Sequence, residues 1–523
     1  MKDDPVNSIR SGTTEPTGQK VLFAASEVYP LVKTGGLADV ACFLPLALAE
    51  LGYEVRIILP AYGSVLDKGH EVCKETNVQI PGTDKKCRLL EILLPGYHIP
   101  VYLVDAPGLF NRPGSPYSTP DNNEWPDNHE RFALFCQVIA QVCRNEAGLA
   151  WRPDLLHCND WHTGLAPALL SLDPVRPSIV FTIHSLAYQG LFPFETFLSL
   201  QLPVVFQSPD ALEFHGNLSF IKGGLVYADR LTTVSPNYAR EITTPAYGAG
   251  MDGLLRHRIH DLTGILNGVD YDLWDPRHDP MIHSQYWINR PAGKKINKLH
   301  LQRELGLVEN EHAVVLGFIG RLTEQKGCDL VLDNLADILD HPDVQLVILG
   351  EGGGRDKQAV QEAATGYGGR MAANFAYDEV LAHRIQAGAD ILLMPSRFEP
   401  CGLSQLYALR YGTIPVVSMT GGLLDTVVDT NEVTLQDHTA TGFHFSIDEP
   451  GDFAATVIHA IQLYRSSRTI WRQIMRTAMK QEFSWASSAR QYSSIYQGIL
   501  APGVAGLLHQ HAKGIQATDR GIN

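Results

Sequence analysis

Lys20-Val21-Leu22-Phe23-Ala24-Ala25, followed closely by Lys33-Thr34-Gly35-Gly36-Leu37-Ala38-Asp39, decides the fold of this chain. The first phrase is a short, uninterrupted apolar run, the pattern of a strand covered on both faces in a parallel sheet. The second is a glycine-bearing loop that opens an apolar helix, predicted over Asp39–Leu51. Strand, loop and helix in that order begin a βαβ unit. Similar runs recur at Val55–Leu59, Val101–Val104, Leu155–His157, Ile179–Ile183 and Arg230–Thr233, with amphipathic helices fitting between them, as at His129–Asn145. The alternation predicts a doubly wound parallel α/β sheet.

A second series starts after Ile265-Leu266-Asn267-Gly268-Val269-Asp270, with strands expected at Ala313–Ile319, Val344–Leu349, Met371–Phe375, Ile391–Met394 and Ile414–Val417. Within it Thr420-Gly421-Gly422-Leu423-Leu424-Asp425 nearly repeats Thr34–Asp39. A chain of 523 residues is too long for one core, so two Rossmann-like domains facing a cleft are expected. The expected divisions are a polar leader over 1–18, a first domain over 19–265, a second over 266–484, a helix over 485–503 and a tail over 504–523. On that helix Tyr492 and Tyr496 share one face.

Hydrophobic content of 45% and charged content of 19% suit a globular enzyme, and a net charge of −15 argues against nucleic-acid or anionic-membrane partners. A phosphate-bearing ligand would need local cations and backbone dipoles, because the overall field opposes it. The eight cysteines form no CxxC pair and no zinc spacing. The first residues lack an apolar signal core, so a cytoplasmic protein without disulfides is expected. No apolar run reaches the roughly 20 residues that cross a bilayer.

Ligands of open α/β sheets lie beyond the carboxyl ends of the strands, and unusual residues gather there. Lys33-Thr34-Gly35-Gly36 reads either as an anion cradle at a helix start or as a capping turn with a solvated lysine. His157-Cys158-Asn159-Asp160-Trp161-His162 suits a sugar site, with carboxylate and imidazole for hydroxyls and an indole for a ring face. Its bland reading is a core histidine beside a helix-capping aspartate. His184 ends another strand. Arg321 and Lys326, in Gly320-Arg321-Leu322-Thr323-Glu324-Gln325-Lys326-Gly327, could reach one anion together or stand as two surface charges. Gly350-Glu351-Gly352-Gly353-Gly354 is a fragment of a dinucleotide fingerprint and reads as a glycine-rich turn. In Ser396-Arg397-Phe398-Glu399-Pro400-Cys401-Gly402-Leu403-Ser404, a carboxylate stands beside the fresh N–H groups of a new helix. Cys401 there suits packing better than nucleophilic attack.

Together these residues resemble the bacterial glycogen synthases and plant starch synthases. The matching phrases are Lys33–Val40, Asn159-Asp160-Trp161-His162, Asn267-Gly268-Val269-Asp270, Arg321–Gly327, Ser396–Leu403 and Thr420-Gly421-Gly422, in the family's order. The resemblance implies the GT-B glycosyltransferase fold, with the last helix crossing back to the first domain. It implies transfer of glucose from ADP-glucose to the non-reducing 4-OH of an α-1,4-glucan with retention, and no cofactor or metal. By similarity, Arg321 and Lys326 hold the diphosphate, Gly36 adds an N–H donor, Lys33 stands at the same mouth, and Asp39 is counted with them as substrate-binding. His184, Asp160 and Glu399 orient the glucosyl unit, assisted by Cys401, Gly402, Leu403 and Ser404. Trp161, His162, Asn267, Thr420, Gly421 and Gly422 line the site, and Tyr377 stands where the family places an aromatic ring on adenine.

Two positions depart from the pattern. Ser185 stands where bacterial members commonly carry Asn, and Tyr407 stands where related families carry a second glutamate. Two other functions compete: a sucrose- or trehalose-type synthase using UDP-glucose, and a glucan-binding protein on a decayed scaffold. The joint presence of Arg321, Lys326, His184 and Glu399 argues against decay.

Overall fold

The computed structural model describes residues 18–82, 85–121, 123–376 and 378–501. Tyr377, the expected tail and all but the last residue of the expected leader lie outside the described residues. The chain divides into two compact units: the first takes in the chain up to Thr233, then Ile242–Ile265 and the chain from Trp485, and the second is Val234–Glu241 with Leu266–Ser484.

The first unit carries β1 (Lys20–Ala24), β2 (Glu54–Pro60), β3 (Lys74–Val78), β4 (Cys87–Leu93), β5 (Pro100–Asp105), β6 (Leu155–Asn159) and β7 (Ser178–Ile183). A small antiparallel sheet follows, of β8 (Leu191–Pro193), β9 (Glu213–Phe214) and β10 (Asn217–Ser219), and then β11 (Arg230–Thr233) and β12 (Leu262–Gly264). Among the described residues the large sheet has nine strands in the order β12-β11-β7-β6-β1-β2-β5-β4-β3. β1 is central, with Val21 paired to Val55 on one side and to Leu155 on the other. Its side chains are buried on both faces, as the unbroken apolar run requires.

The edge departs from the all-parallel expectation, because β4 runs antiparallel to β5 and β3 antiparallel to β4. The edge strand β3 is mostly exposed, which an antiparallel pairing tolerates and a parallel strand covered on both faces does not.

The last helix, Trp485–Leu500, belongs to the first unit and packs on the helix Gly36–Glu50. The tyrosines spaced four apart face inward: the Tyr496 hydroxyl meets His157 Nδ1 at 2.6 Å, and Tyr492 lies against the same ring. His157 is therefore a core histidine, and burial pushes its pKa down to about 3. Tyr53 and Ser493 add a buried hydroxyl pair at 2.9 Å.

The second unit carries β13 (Val314–Ile319), β14 (Val344–Leu349), β15 (Met371–Asn374), β16 (Ile391–Met394), β17 (Ile414–Ser418) and β18 (Phe443–Phe445). Their order is β15-β14-β13-β16-β17-β18, and every pair is parallel. The strand order reverses direction between β13 and β16, the kind of switch point where open sheets take ligands. Val234–Glu241 also packs in this unit: Ser235 Oγ donates to the Pro400 carbonyl at 2.6 Å and Asp425 accepts from Asn237 N at 2.6 Å. Among the described residues no helix is long and apolar enough to cross a membrane.

Candidate active site

In the first unit the expected residues follow β1, β6 and β7. After β1 the chain turns through Glu27, a buried carboxylate missing from the expected site. It accepts from Thr34 N at 2.5 Å, Thr34 Oγ1 at 2.5 Å, Gly35 N at 3.1 Å and the Tyr117 hydroxyl at 2.5 Å. An anion cradle does exist at this loop, and an internal glutamate fills its first part. Gly36 then opens the helix Gly36–Glu50 and is exposed, so its N–H lacks an acceptor within the helix and remains available to a ligand. Lys33 pairs with Asp39 at 2.9 Å.

Asp160 follows β6 in a conformation that side chains rarely adopt, with φ 56° and ψ −179°. Its carboxylate accepts from His184 N at 2.8 Å and Ser185 N at 3.4 Å, which ties the ends of β6 and β7 together. Asp160 is no capping residue for the short turn Trp161–Thr163, since it makes no side-chain cap bond there. Burial pushes its pKa up to about 7 against the lowering by those two N–H groups. His184 is partly buried, and its low-dielectric surroundings push its pKa down to about 3. Trp161 sits buried among Phe132, Phe192 and Phe220, and His162 stacks on Tyr117 at 4.7 Å. His162 Nδ1 is buried without a partner among the described residues.

In the second unit the residues follow β13, β16 and β17. Lys326 Nζ is ion-paired with Glu399 Oε2, and Ser396 Oγ donates to the same oxygen at 3.1 Å. Glu399 is only 6% exposed. Arg321 is exposed and has no ion pair among the described residues. Helix Ser404–Tyr411 starts just beyond. The N–H groups of Cys401, Gly402, Leu403 and Ser404 have no protein acceptor among the described residues, so four donors collect at one helix start. Gly402 makes the turn with φ +72°, a region that favours glycine. Cys401 is buried, and burial pushes its pKa up to about 12, with the Asn267 backbone opposing part of that rise, so the thiol is no nucleophile. Asn267 Oδ1 is buried without a partner among the described residues.

Thr420-Gly421-Gly422 lies behind these groups and keeps its donors to itself. Gly421 N donates to Glu241 at 2.8 Å, and Gly422 N donates to the Glu399 and Pro400 carbonyls at 3.0 and 3.2 Å. Thr420 Oγ1 also reaches Glu241, at 3.3 Å. The glycine-rich stretch after β14 is a close-packed turn: a Cβ on Gly350 would lie 2.0 Å from the Gly320 carbonyl. Glu27 and Glu241 had one faint signal in the sequence, an acidic residue shortly after a strand, with nothing to say which loop it would meet.

Two α/β units with cations, carboxylates and open helix N-termini at their strand ends belong to the GT-B class of glycosyltransferases, as comparison with known proteins shows. A family model described as the starch synthase catalytic domain matches residues 20–257, and one described as glycosyl transferases group 1 matches residues 305–477. Glycogen synthase 2 of Nitrosococcus oceani is 50% identical over 482 residues, covering 92% of this chain and 98% of that protein. A glycogen synthase of Thioalkalivibrio sulfidiphilus is 49% identical over 483 residues, covering 92% and 100%. The solved catalytic domain of starch synthase IV from Arabidopsis thaliana, bound to ADP and acarbose, superposes with a TM-score of 0.84 at 30% identity, over 92% of this chain and all of that one. The chain belongs to the bacterial glycogen synthase family and is a glycosyltransferase.

Proposed function

We propose that this enzyme transfers glucose from ADP-glucose to the non-reducing 4-OH of an α-1,4-glucan, with retention of configuration, in the cytoplasm. The observation that carries the reading is the cluster after β13 and β16: the Lys326–Glu399 pair, with Arg321 and the four N–H groups of Cys401–Ser404 unpartnered among the described residues. As the glucosyl–oxygen bond breaks, negative charge grows on the departing diphosphate, and Arg321 and Lys326 neutralise it. Lys326 leaves Glu399 to do so, which frees that carboxylate to accept sugar hydroxyls. The first unit supplies Gly36 N–H and Lys33 for phosphate oxygens, and His184 and Asp160 for the glucosyl hydroxyls. Burial keeps Cys401 protonated and unsuited to covalent attack; same-face attack assisted by the leaving group is the reading of retention favoured over Glu399 as nucleophile, with Asp160 the other carboxylate to test. The ADP in the related starch synthase structure supports the choice of base.

The test is transfer of radiolabelled glucose from ADP-glucose and from UDP-glucose, each offered glycogen and small free sugars. Label in glycogen from ADP-glucose is expected. Transfer only from UDP-glucose, or only to a free sugar, overturns the proposal.

A further inference from the structure

Asn159 is the last residue of β6 and is completely buried. Its Nδ2 donates to the carbonyl of Ala24, the last residue of β1, at 3.0 Å. A carbonyl can only accept, so the amide nitrogen must face Ala24 and the amide oxygen must face the other way. That oxygen lies 2.9 Å from His184 Nε2. An amide oxygen carries no proton, so the proton in this contact belongs to Nε2.

A neutral ring with a proton on Nε2 has a bare Nδ1. The ring's burial opposes a second proton, while the Asp160 carboxyl binds the His184 backbone. Nδ1 has no hydrogen bond among the described residues, and His184 as a residue is only partly buried. The ring is thus held at its backbone by Asp160 and at one nitrogen by Asn159, and its other nitrogen is open.

We propose that Asn159 is a positioning residue that fixes His184 as the neutral Nε2–H tautomer, so that Nδ1 accepts a hydroxyl hydrogen of the transferred glucose. The inference rests on the reading of His184 as a sugar contact, given under the proposed function. A bare nitrogen cannot donate, so the device selects a hydroxyl donor.

The experiment is nitrogen NMR of the full chain labelled with ¹⁵N-histidine at neutral pH, the His184 signals assigned by their loss in His184→Gln. A bare, pyridine-like Nδ1 and a protonated Nε2 are expected in the unmutated protein. A protonated Nδ1 in the unmutated protein overturns the proposal whatever the Asn159 variants do. In Asn159→Ala the Nδ1 signal is expected to move toward the average of the two tautomers. The glucosyl-transfer kcat is expected to fall about tenfold, the size of one lost hydrogen bond, with the glycogen KM little changed. Asn159→Asp keeps an acceptor at Nε2 but adds a negative charge, so Nδ1 is expected to gain a proton and kcat to fall likewise. Unaltered Nδ1 signals in both variants overturn the positioning role. Altered signals with an unaltered kcat uphold the positioning and remove His184 from the sugar contact.

Discussion

Replacing Lys326 with Ala separates what this side chain does for the reaction from what it does for the fold. A unit charge about 4 Å from another at an effective dielectric near 20 is worth about 4 kcal/mol. Arg321 and incoming water replace part of that, leaving a loss of roughly 3 kcal/mol at the transition state, or about 100-fold or more in kcat. The same change leaves Glu399 buried with only the Ser396 hydroxyl at 3.1 Å. Lys326 is 23% exposed, so water screens the pair in part, and a stability loss of about 2 kcal/mol is expected rather than the full cost of orphaning a buried ion. Initial rates of label transfer to glycogen and urea unfolding midpoints measure the two losses. Adding Glu399→Gln removes the orphaned charge, so the double variant should regain stability and stay slow. A Lys326→Ala enzyme whose rate stays within about threefold of normal would refute the role of this cation.

Asp160→Asn keeps the acceptor for His184 N and removes the ionisable group. The folded-state pKa of Asp160, about 7, lies above its ordinary 3.8, so the native state holds this proton and loses stability as pH rises from about 4 through 7. The variant should gain stability at pH 8, by up to about 4 kcal/mol, and show little gain at pH 4; equal melting shifts at both pH values would contradict the assignment. The two Thr-Gly-Gly loops should respond differently to alanine. Gly421 has φ +44°, and a Cβ there would lie 1.9 Å from the Glu399 carbonyl, whereas a Cβ on Gly35 meets nothing within 4 Å. Gly421→Ala should cost about 3 kcal/mol or more by urea unfolding and Gly35→Ala under about 0.5 kcal/mol; similar costs would sink the contrast.

The strand series was legible because buried parallel strands are unbroken apolar runs. β11 falls where expected, and Tyr492 and Tyr496 declared a buried helix face by spacing alone. The edge strands β3 and β4 were not read, because short segments that mix charged and apolar residues carry a weaker signal than unbroken apolar runs. The residues named for the site fall at strand ends because chemistry sets their type. What they touch was less legible: Glu27 and Glu241 reach loops 7 and 180 residues away, and only the folded backbone decides that. The repeated Thr-Gly-Gly phrase looked like two equal anion cradles. The structure gives each loop an internal glutamate and leaves open donors only at the first.

The last helix has a consequence for how the protein is made. Tyr496 closes over His157, and Ser493 over Tyr53, so the first unit needs residues near 500 to complete its interior. A ribosome delivers β1 before Leu266–Ser484 and this helix after it. The unit that holds β1 is therefore completed late: until this helix is made, His157 and Tyr53 lack its hydroxyl partners and the face it covers is open to misassembly.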